Sequence, residues 1–233
     1  MGKETRGTRM DAAFFDLDGT LLDTLADIGG ACNRMLAAHG FPSHPVSAYA
    51  TMVGNGFPLT VERALPPEVS ARLSPREREA LTDEARAQYG AHLWEHTAPY
   101  AGMPEALAAL VKKHVLLAVL SNKPDAWTSE LIRHFFPKLP FALIRGARPG
   151  TPLKPDPAVL LAMLGELGLE PEACAYVGDS DVDMHTARNA GMLAVGAAWG
   201  FRGAAELRAA GARVLAQAPA ELPALLCPGP ART

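Results

Sequence analysis

The sequence has no surplus of positive charge: 22 Lys and Arg stand against 25 Asp and Glu, a formal net charge of -3, so nothing electrostatic argues for a nucleic-acid partner. It has only three cysteines, Cys32, Cys174 and Cys227, with no Cys-x-x-Cys pair among them. Neither a disulfide framework nor a zinc site can be read from that scatter, which fits a reducing compartment. Long apolar runs are missing too. Val115 to Leu120 is far too short to cross a bilayer. The polar opening Met1-Gly2-Lys3-Glu4-Thr5-Arg6 has no apolar signal core, and Arg6 stands where a myristoylation motif needs Ser or Thr. No internal repeat or low-complexity tract is present. These absences lead us to expect a cytoplasmic protein, a monomer or weak homo-oligomer, whose partner is a small molecule rather than nucleic acid or a membrane.

What is present is the composition of a soluble globular chain, 48% hydrophobic and 20% charged over 233 residues, enough for one core plus a small accessory domain. Disorder is expected only at the ends, where Pro228-Gly229-Pro230 reads as a loose tail. Ala12-Ala13-Phe14-Phe15, Val115 to Leu120, Ala173 to Val177 and Leu193 to Val195 are short apolar runs bounded by polar or glycine turns. Helical patterns separate them, notably Pro104 to Lys113 and Pro157 to Leu167 before Gly168. Continuous apolar strands alternating with helices signify an α/β fold with a doubly wound parallel-sheet core.

Between the first strand and Pro99 the pattern is helical only. Leu25, Ile28, Cys32, Met35, Leu36 and His39 recur at helical spacing until Gly40. Ser74-Pro75-Arg76-Glu77 is a capping-box arrangement opening a stripe of Leu81, Ala85, Tyr89 and Leu93. The expected organisation is a core of residues 1–23 and 99–233 with a small inserted all-helical domain, 24–98, and Pro99-Tyr100-Ala101-Gly102 as the return hinge.

The chemistry-bearing residues stand where strands end. Asp16-Leu17-Asp18-Gly19-Thr20 follows the first strand, at the edge where open α/β sheets place their ligand crevice. An Asp-x-Asp pair on extended chain points both carboxylates one way, so one can attack while the other exchanges a proton. Gly178-Asp179-Ser180-Asp181-Val182-Asp183 follows another strand at the same edge. Asp16 and Asp179 converging there would repel unless a cation sat between them, and hard carboxylate oxygens favour magnesium. Asp183 shares the face of Asp179 if the turn opens a helix, in position to orient metal-bound water, whereas Asp181 reads better as a helix N-terminal residue than as a ligand. Ser121-Asn122 offers a hydroxyl, an amide and backbone donors for phosphate. Lys154, stiffened by Pro155 and Pro157, supplies a cation. Trp94, Trp127 and Trp199 read as packing residues, His185 and the run Arg76 to Glu79 as exposed helix.

Taken in order, Phe15-Asp16-Leu17-Asp18-Gly19-Thr20-Leu21, Ser121-Asn122, Lys154-Pro155-Asp156-Pro157 and Gly178-Asp179-Ser180 through Asp183 resemble the four motifs of haloacid dehalogenase superfamily phosphatases. The resemblance spans nearly the whole chain, including an inserted helical cap. It implies Asp16 as nucleophile, Asp18 as general acid and base, Ser121 and Lys154 on the phosphate, and Mg2+ held by Asp16, the Asp18 carbonyl and Asp179. Within the superfamily, Val53-Gly54-Asn55-Gly56 with Val61-Glu62-Arg63-Ala64-Leu65, and Ser121-Asn122-Lys123-Pro124, resemble phosphoglycolate phosphatases. That implies a small phosphorylated metabolite as substrate. Asn55 and Arg63 are the expected contacts to its leaving group, since Gly54-Asn55-Gly56 reads as a turn presenting a helix N-terminus to an anion. Ser121 where Thr is common keeps the hydroxyl, and Gly150-Thr151-Pro152-Leu153 is less polar than usual before the lysine.

Overall fold

Ala12–Phe15 forms strand β1, and all four of its side chains are buried, which identifies it as central in a sheet covered on both faces. The computed structural model describes residues 9–228, so the N-terminal hexapeptide and the Gly229-Pro230 end of the tail lie outside the described residues. After β1 come β2 (Leu22–Asp23), α1 (Leu25–Ala38), a 3-10 turn at Val46–Thr51, α2 (Phe57–Ala64), α3 (Pro67–Ser70), α4 (Pro75–Ala91) and β3 (Ala98–Pro99). Then follow α5 (Met103–Lys112), β4 (Leu116–Pro124), α6 (Asp125–Phe135), β5 (Phe141–Ala147), α7 (Ala158–Leu167), β6 (Cys174–Gly178), α8 (Asp181–Asn189), β7 (Leu193–Ala197), α9 (Gly203–Ala209), β8 (Val214–Ala216) and α10 (Leu222–Leu226).

Six strands form one sheet in the order β5-β4-β1-β6-β7-β8. Every neighbouring pair in it is parallel. The α/β doubly wound expectation therefore holds. Phe15 registers with Val119 on one side and Val177 on the other. The chain builds outward from β1 through β4 and β5, then crosses to β6, so the switch point lies at the C-terminal ends of β4, β1 and β6. Alternation along β1 feeds two cores. Ala13 and Phe15 join Met103, Leu107, Leu131 and Leu222 on one face. Ala12 and Phe14 join Leu160, Met163, Met184 and Leu207 on the other. Among the described residues no helix is long and apolar enough to cross a membrane.

Three details differ from the sequence reading. The strand expected over Val115 to Leu120 runs on to Pro124, because β5 keeps pairing with it as far as Pro124 opposite Ala147 after a register shift. Ser121 and Asn122 are thus inside β4 rather than closing it. The edge strands β5 and β8 had no sequence signature, since their residues are mostly half-buried rather than uniformly apolar and buried. Finally, the linkers at either end of the helical stretch pair with each other, Leu22 with Pro99 and Asp23 with Ala98, as a two-stranded antiparallel ribbon.

Asp27, in the first turn of α1, locks that ribbon from within. Its carboxylate accepts the backbone N–H groups of His96 at 3.0 Å and Thr97 at 2.8 Å, the Thr97 hydroxyl at 2.7 Å, and contacts His96 Nδ1 at 2.9 Å. Burial pushes this carboxyl upward, but the hydrogen bonds from Thr97 and His96 outweigh it and hold it below the ordinary aspartate value. A depressed folded value means stability that is present above about pH 4 and lost as pH falls through the folded value. Asp27→Asn, which sets an amide against those donors, is expected to cost about 2–4 kcal/mol at neutral pH. The difference from wild type should shrink in urea unfolding carried out below about pH 4. A variant as stable as wild type at neutral pH would remove Asp27 from the linker's support.

Candidate active site

The carboxylate of Asp16 emerges where β1 stops. Its backbone N–H still bonds Val177 O at 2.9 Å, and its Oδ1 accepts the N–H of Leu17 at 2.7 Å. The chain then turns through Gly19 at φ 80°, where a Cβ would collide with the carboxylate of Asp179. Gly200 passes so close that a Cβ there would strike both the Asp179 side chain and the Gly19 carbonyl. Only glycine at these two positions lets three chain segments converge on one carboxylate.

Asp16, Asp179 and Asp183 are buried and offer carboxylate oxygens all within 4.8 Å of one another. One ammonium stands among them. Lys154 Nζ lies 2.9 Å from Asp16 Oδ1 and 2.7 Å from Asp183 Oδ1, and donates to Tyr176 Oη at 3.0 Å. Three carboxylates against one lysine leave excess negative charge in a buried site. Burial first, then the neighbouring Asp183, push the Asp16 carboxyl up to about 7 against the pull of Lys154. Burial, Asp183 and Asp16 raise Asp179 well above its ordinary value. Burial opposes the charge on Lys154, but Asp16 and Asp183 outweigh it and hold the lysine protonated. An all-oxygen, hard, electron-rich donor set of this kind fits a magnesium-type cation.

Asp183 has little left for a metal. Its Oδ2 accepts the backbone N–H of Ser180 at 3.1 Å and the Ser180 hydroxyl at 2.7 Å, a capping box opening α8, while Oδ1 faces Lys154. It orients the lysine and the helix start. Asp179 is held by the N–H of Phe201, 2.7 Å from Oδ2.

Asp18 is held by a residue that sequence reasoning did not assign. Lys123 Nζ reaches both of its oxygens, at 2.8 and 3.0 Å, and the Thr24 hydroxyl donates to Oδ1 at 2.7 Å. The ammonium also lies 4.5 Å from the centre of the Tyr89 ring, so a core lysine rests on a side chain of α4. Burial disfavours its charge, but Asp18 and Tyr89 prevail and raise Lys123 above the usual lysine value. Tyr89 packs on Phe57 and Trp127 at 5.4 and 5.2 Å, joining α4 and α2 to α6. Tyr89 Oη is the buried side-chain polar atom left without a hydrogen bond among the described residues. The signal for Lys123 was its place directly after Ser121-Asn122; its burial was not legible.

Ser121 lines the same cleft as Asp16, Asp18 and Asp179. Asn122 also touches it, but its side chain is occupied. Its amide donates to Gly54 O at 3.2 Å and Lys154 O at 3.1 Å, and its carbonyl oxygen accepts the N–H of Lys154 at 2.8 Å. The phosphate-binding expectation for this side chain gives way to that of a tie between β4, the lysine loop and the turn before α2. Asn55 and Arg63 are not brought to the cleft. Arg63 donates to Met52 O at 2.9 Å and to Asn55 Oδ1 at 3.2 Å, folding the two onto each other outside the helix start. The cleft is instead lined there by Val53, Gly54, Gly56, Phe57 and Thr60, together with Phe201 and Arg202, which no motif announced.

The comparisons with known proteins agree with this geometry. The family model described as haloacid dehalogenase-like hydrolase matches residues 13–197. A phosphoglycolate phosphatase of Haemophilus influenzae is 33% identical over 190 residues, covering 80% of this chain and 85% of the relative. One from Pseudomonas putida is 34% identical over 198 residues, covering 84% and 72%. A crystal structure from Lactobacillus delbrueckii subsp. bulgaricus superposes with a TM-score of 0.88 at 28% identity, covering 95% of this chain and all of the other. A predicted phosphoglycolate phosphatase from Haemophilus somnus gives 0.84 at 27%, covering 92% and 97%. With the match spanning most of the chain and the acids, lysine and serine gathered at the switch point of its sheet, this chain belongs to the haloacid dehalogenase-like hydrolase family.

Proposed function

We propose that this chain is a magnesium-dependent phosphomonoesterase that hydrolyses 2-phosphoglycolate to glycolate and phosphate through an aspartyl-phosphate on Asp16. The observation that carries the reading is the buried cluster of Asp16, Asp179 and Asp183 around a single Lys154, with Asp18 beside it. Asp16, the backbone carbonyl of Asp18 and Asp179 would hold magnesium, which when bound supplies charge neutralisation and polarises the phosphoryl group.

The protein's own groups do the rest. Asp16 Oδ attacks phosphorus, forming an O–P bond as the ester oxygen leaves. Lys154 and the Ser121 hydroxyl bind the phosphoryl oxygens, the lysine kept in place by Asp183 and Tyr176. Asp18 gives a proton to the departing alkoxide and later takes one from the water that cleaves the aspartyl-phosphate, so one carboxyl serves both halves. Thr24 and Lys123 fix where that carboxyl stands. Residues 24–98 act as a cap over a core of 1–23 and 99–233. Closed over bound substrate, the cap keeps water from the intermediate until the alcohol departs. Three free, buried cysteines support a reducing, cytoplasmic setting.

The phosphoglycolate reading is supported by the names of relatives at 33% and 34% identity. Phosphate release from 2-phosphoglycolate, 3-phosphoglycerate, sugar monophosphates and pyrophosphate, compared by kcat/KM with magnesium present, tests it. Phosphoglycolate is expected to exceed the others by at least about tenfold. A sugar phosphate or pyrophosphate at the head of the series would reassign the substrate while leaving the phosphatase chemistry in place.

A further inference from the structure

We propose that Arg202, from the core loop after β7 rather than from the cap, recognises the carboxylate of the leaving group. This inference rests on the phosphoglycolate reading and names the residue behind its selectivity. Asp16, Ser121 and Lys154 address only the phosphoryl group, so an ester with an anionic alcohol must be told from a neutral one by a cation farther along the cleft. Among the described residues, two cationic side chains line that cleft, Lys123 and Arg202. Lys123 is committed to both oxygens of Asp18.

Arg202 is not so committed. Its Nη2 donates to Val53 O at 3.0 Å, its Nε stands 3.8 Å from Glu206, beyond a hydrogen bond, and its Nη1 has no acceptor among the described residues. The side chain is only 14% exposed. A sheltered guanidinium with unused donors on the wall of a cleft is suited to a carboxylate, which it can meet through parallel hydrogen bonds.

The mounting is firm. One residue earlier, Phe201 N–H holds Asp179 Oδ2 at 2.7 Å, and Trp199 Nε1 donates to Thr20 O at 3.0 Å. The loop carrying Arg202 is therefore tied to both acid-bearing segments, Asp16 to Thr20 and Asp179. Arg202 also meets the backbone of the turn before α2 through Val53, so the group that reads the substrate is in contact with the element that covers it. Asn55 and Arg63, occupied with each other, are left as supports of that turn.

The test compares 2-phosphoglycolate with ethyl phosphate, whose two-carbon alcohol is neutral, on wild type, Arg202→Met and Arg202→Lys. Arg202→Met is expected to lose about a hundredfold in kcat/KM on phosphoglycolate and no more than about threefold on ethyl phosphate. Arg202→Lys, which keeps the charge without the fork, should lose selectively by about tenfold. If Arg202→Met does not fold, the lysine variant decides by the same ratio. An equal fall on both esters would overturn the inference, leaving Arg202 as a fastener of the cap, while the wild-type preference for phosphoglycolate would stand. A wild type with no such preference would overturn the substrate reading and this inference together.

Discussion

Asp16→Asn is expected to release phosphate more than about a thousandfold more slowly than wild type while folding normally. The rate falls because the amide has no anion with which to form the O–P bond, and the neighbouring carboxylates are already engaged, Asp179 by the N–H of Phe201. Asp18 is held by Lys123 and Thr24, and Asp183 by Ser180 and Lys154. The fold survives because asparagine keeps the shape and the Oδ1 acceptor for Leu17 N–H. Lys154 loses one carboxylate partner but keeps Asp183 at 2.7 Å and Tyr176 at 3.0 Å. The substitution also removes one of three crowded buried acids, so the melting temperature should not fall. Steady-state phosphate release and acid-quenched, protein-bound phosphate should be measured on the same preparation. Bound phosphate is expected in wild type and absent in the variant. A variant within about tenfold of wild type, or one that still accumulates bound phosphate, would move the nucleophile elsewhere.

The parts of this molecule legible in its sequence are those set by local chain chemistry. β1 is readable because a doubly covered strand is apolar at every position, and the acids after β1 and β6 because parallel strands put their C-terminal ends together. The Ser74 capping box is present as expected, with Glu77 Oε2 accepting the Ser74 N–H at 2.8 Å. The illegible parts depend on partners far along the chain. Ser121-Asn122-Lys123 looks like a polar loop, yet it is buried strand because Lys154 and Asp18, 32 and 105 residues distant from their partners there, satisfy it. Arg202 reaches Val53 across 149 positions, and no local pattern encodes that. Asn55 illustrates a further limit. The glycine-flanked turn and the helix after it were readable, but the direction of the side chain was not, since it follows from Gly56 at φ 85° and from the hold of Arg63 on Met52 O.

Removing divalent cation is expected to silence the enzyme to below about one hundredth of its rate, with magnesium restoring it and calcium doing so poorly, because calcium accepts more ligands and looser geometry. The electrostatics of the cluster provide an independent reading of the same event. Burial and the neighbouring Asp183 push the Asp16 carboxyl up to about 7. A raised value means that the stability associated with this group is full below about pH 4 and is lost as pH rises through about 7. Asp179 is displaced in the same direction. Metal-free protein should therefore grow less stable as pH rises from about 4 to about 7, as buried carboxylates are forced to ionise side by side. Bound magnesium would relieve that repulsion. At a concentration about a hundredfold above its dissociation constant it contributes about 2.7 kcal/mol, a rise of about 5–10 °C in Tm for a chain of this size. Because protons compete for the same oxygens, the rise should be larger at pH 8 than at pH 6. Asp179→Asn should raise the magnesium concentration needed for half-maximal activity by at least about tenfold and flatten the dependence of the Tm shift on pH. A Tm shift of the same size at both pH values would place the ion away from Asp16 and Asp179, and full activity after exhaustive chelation would remove the metal from the reaction altogether.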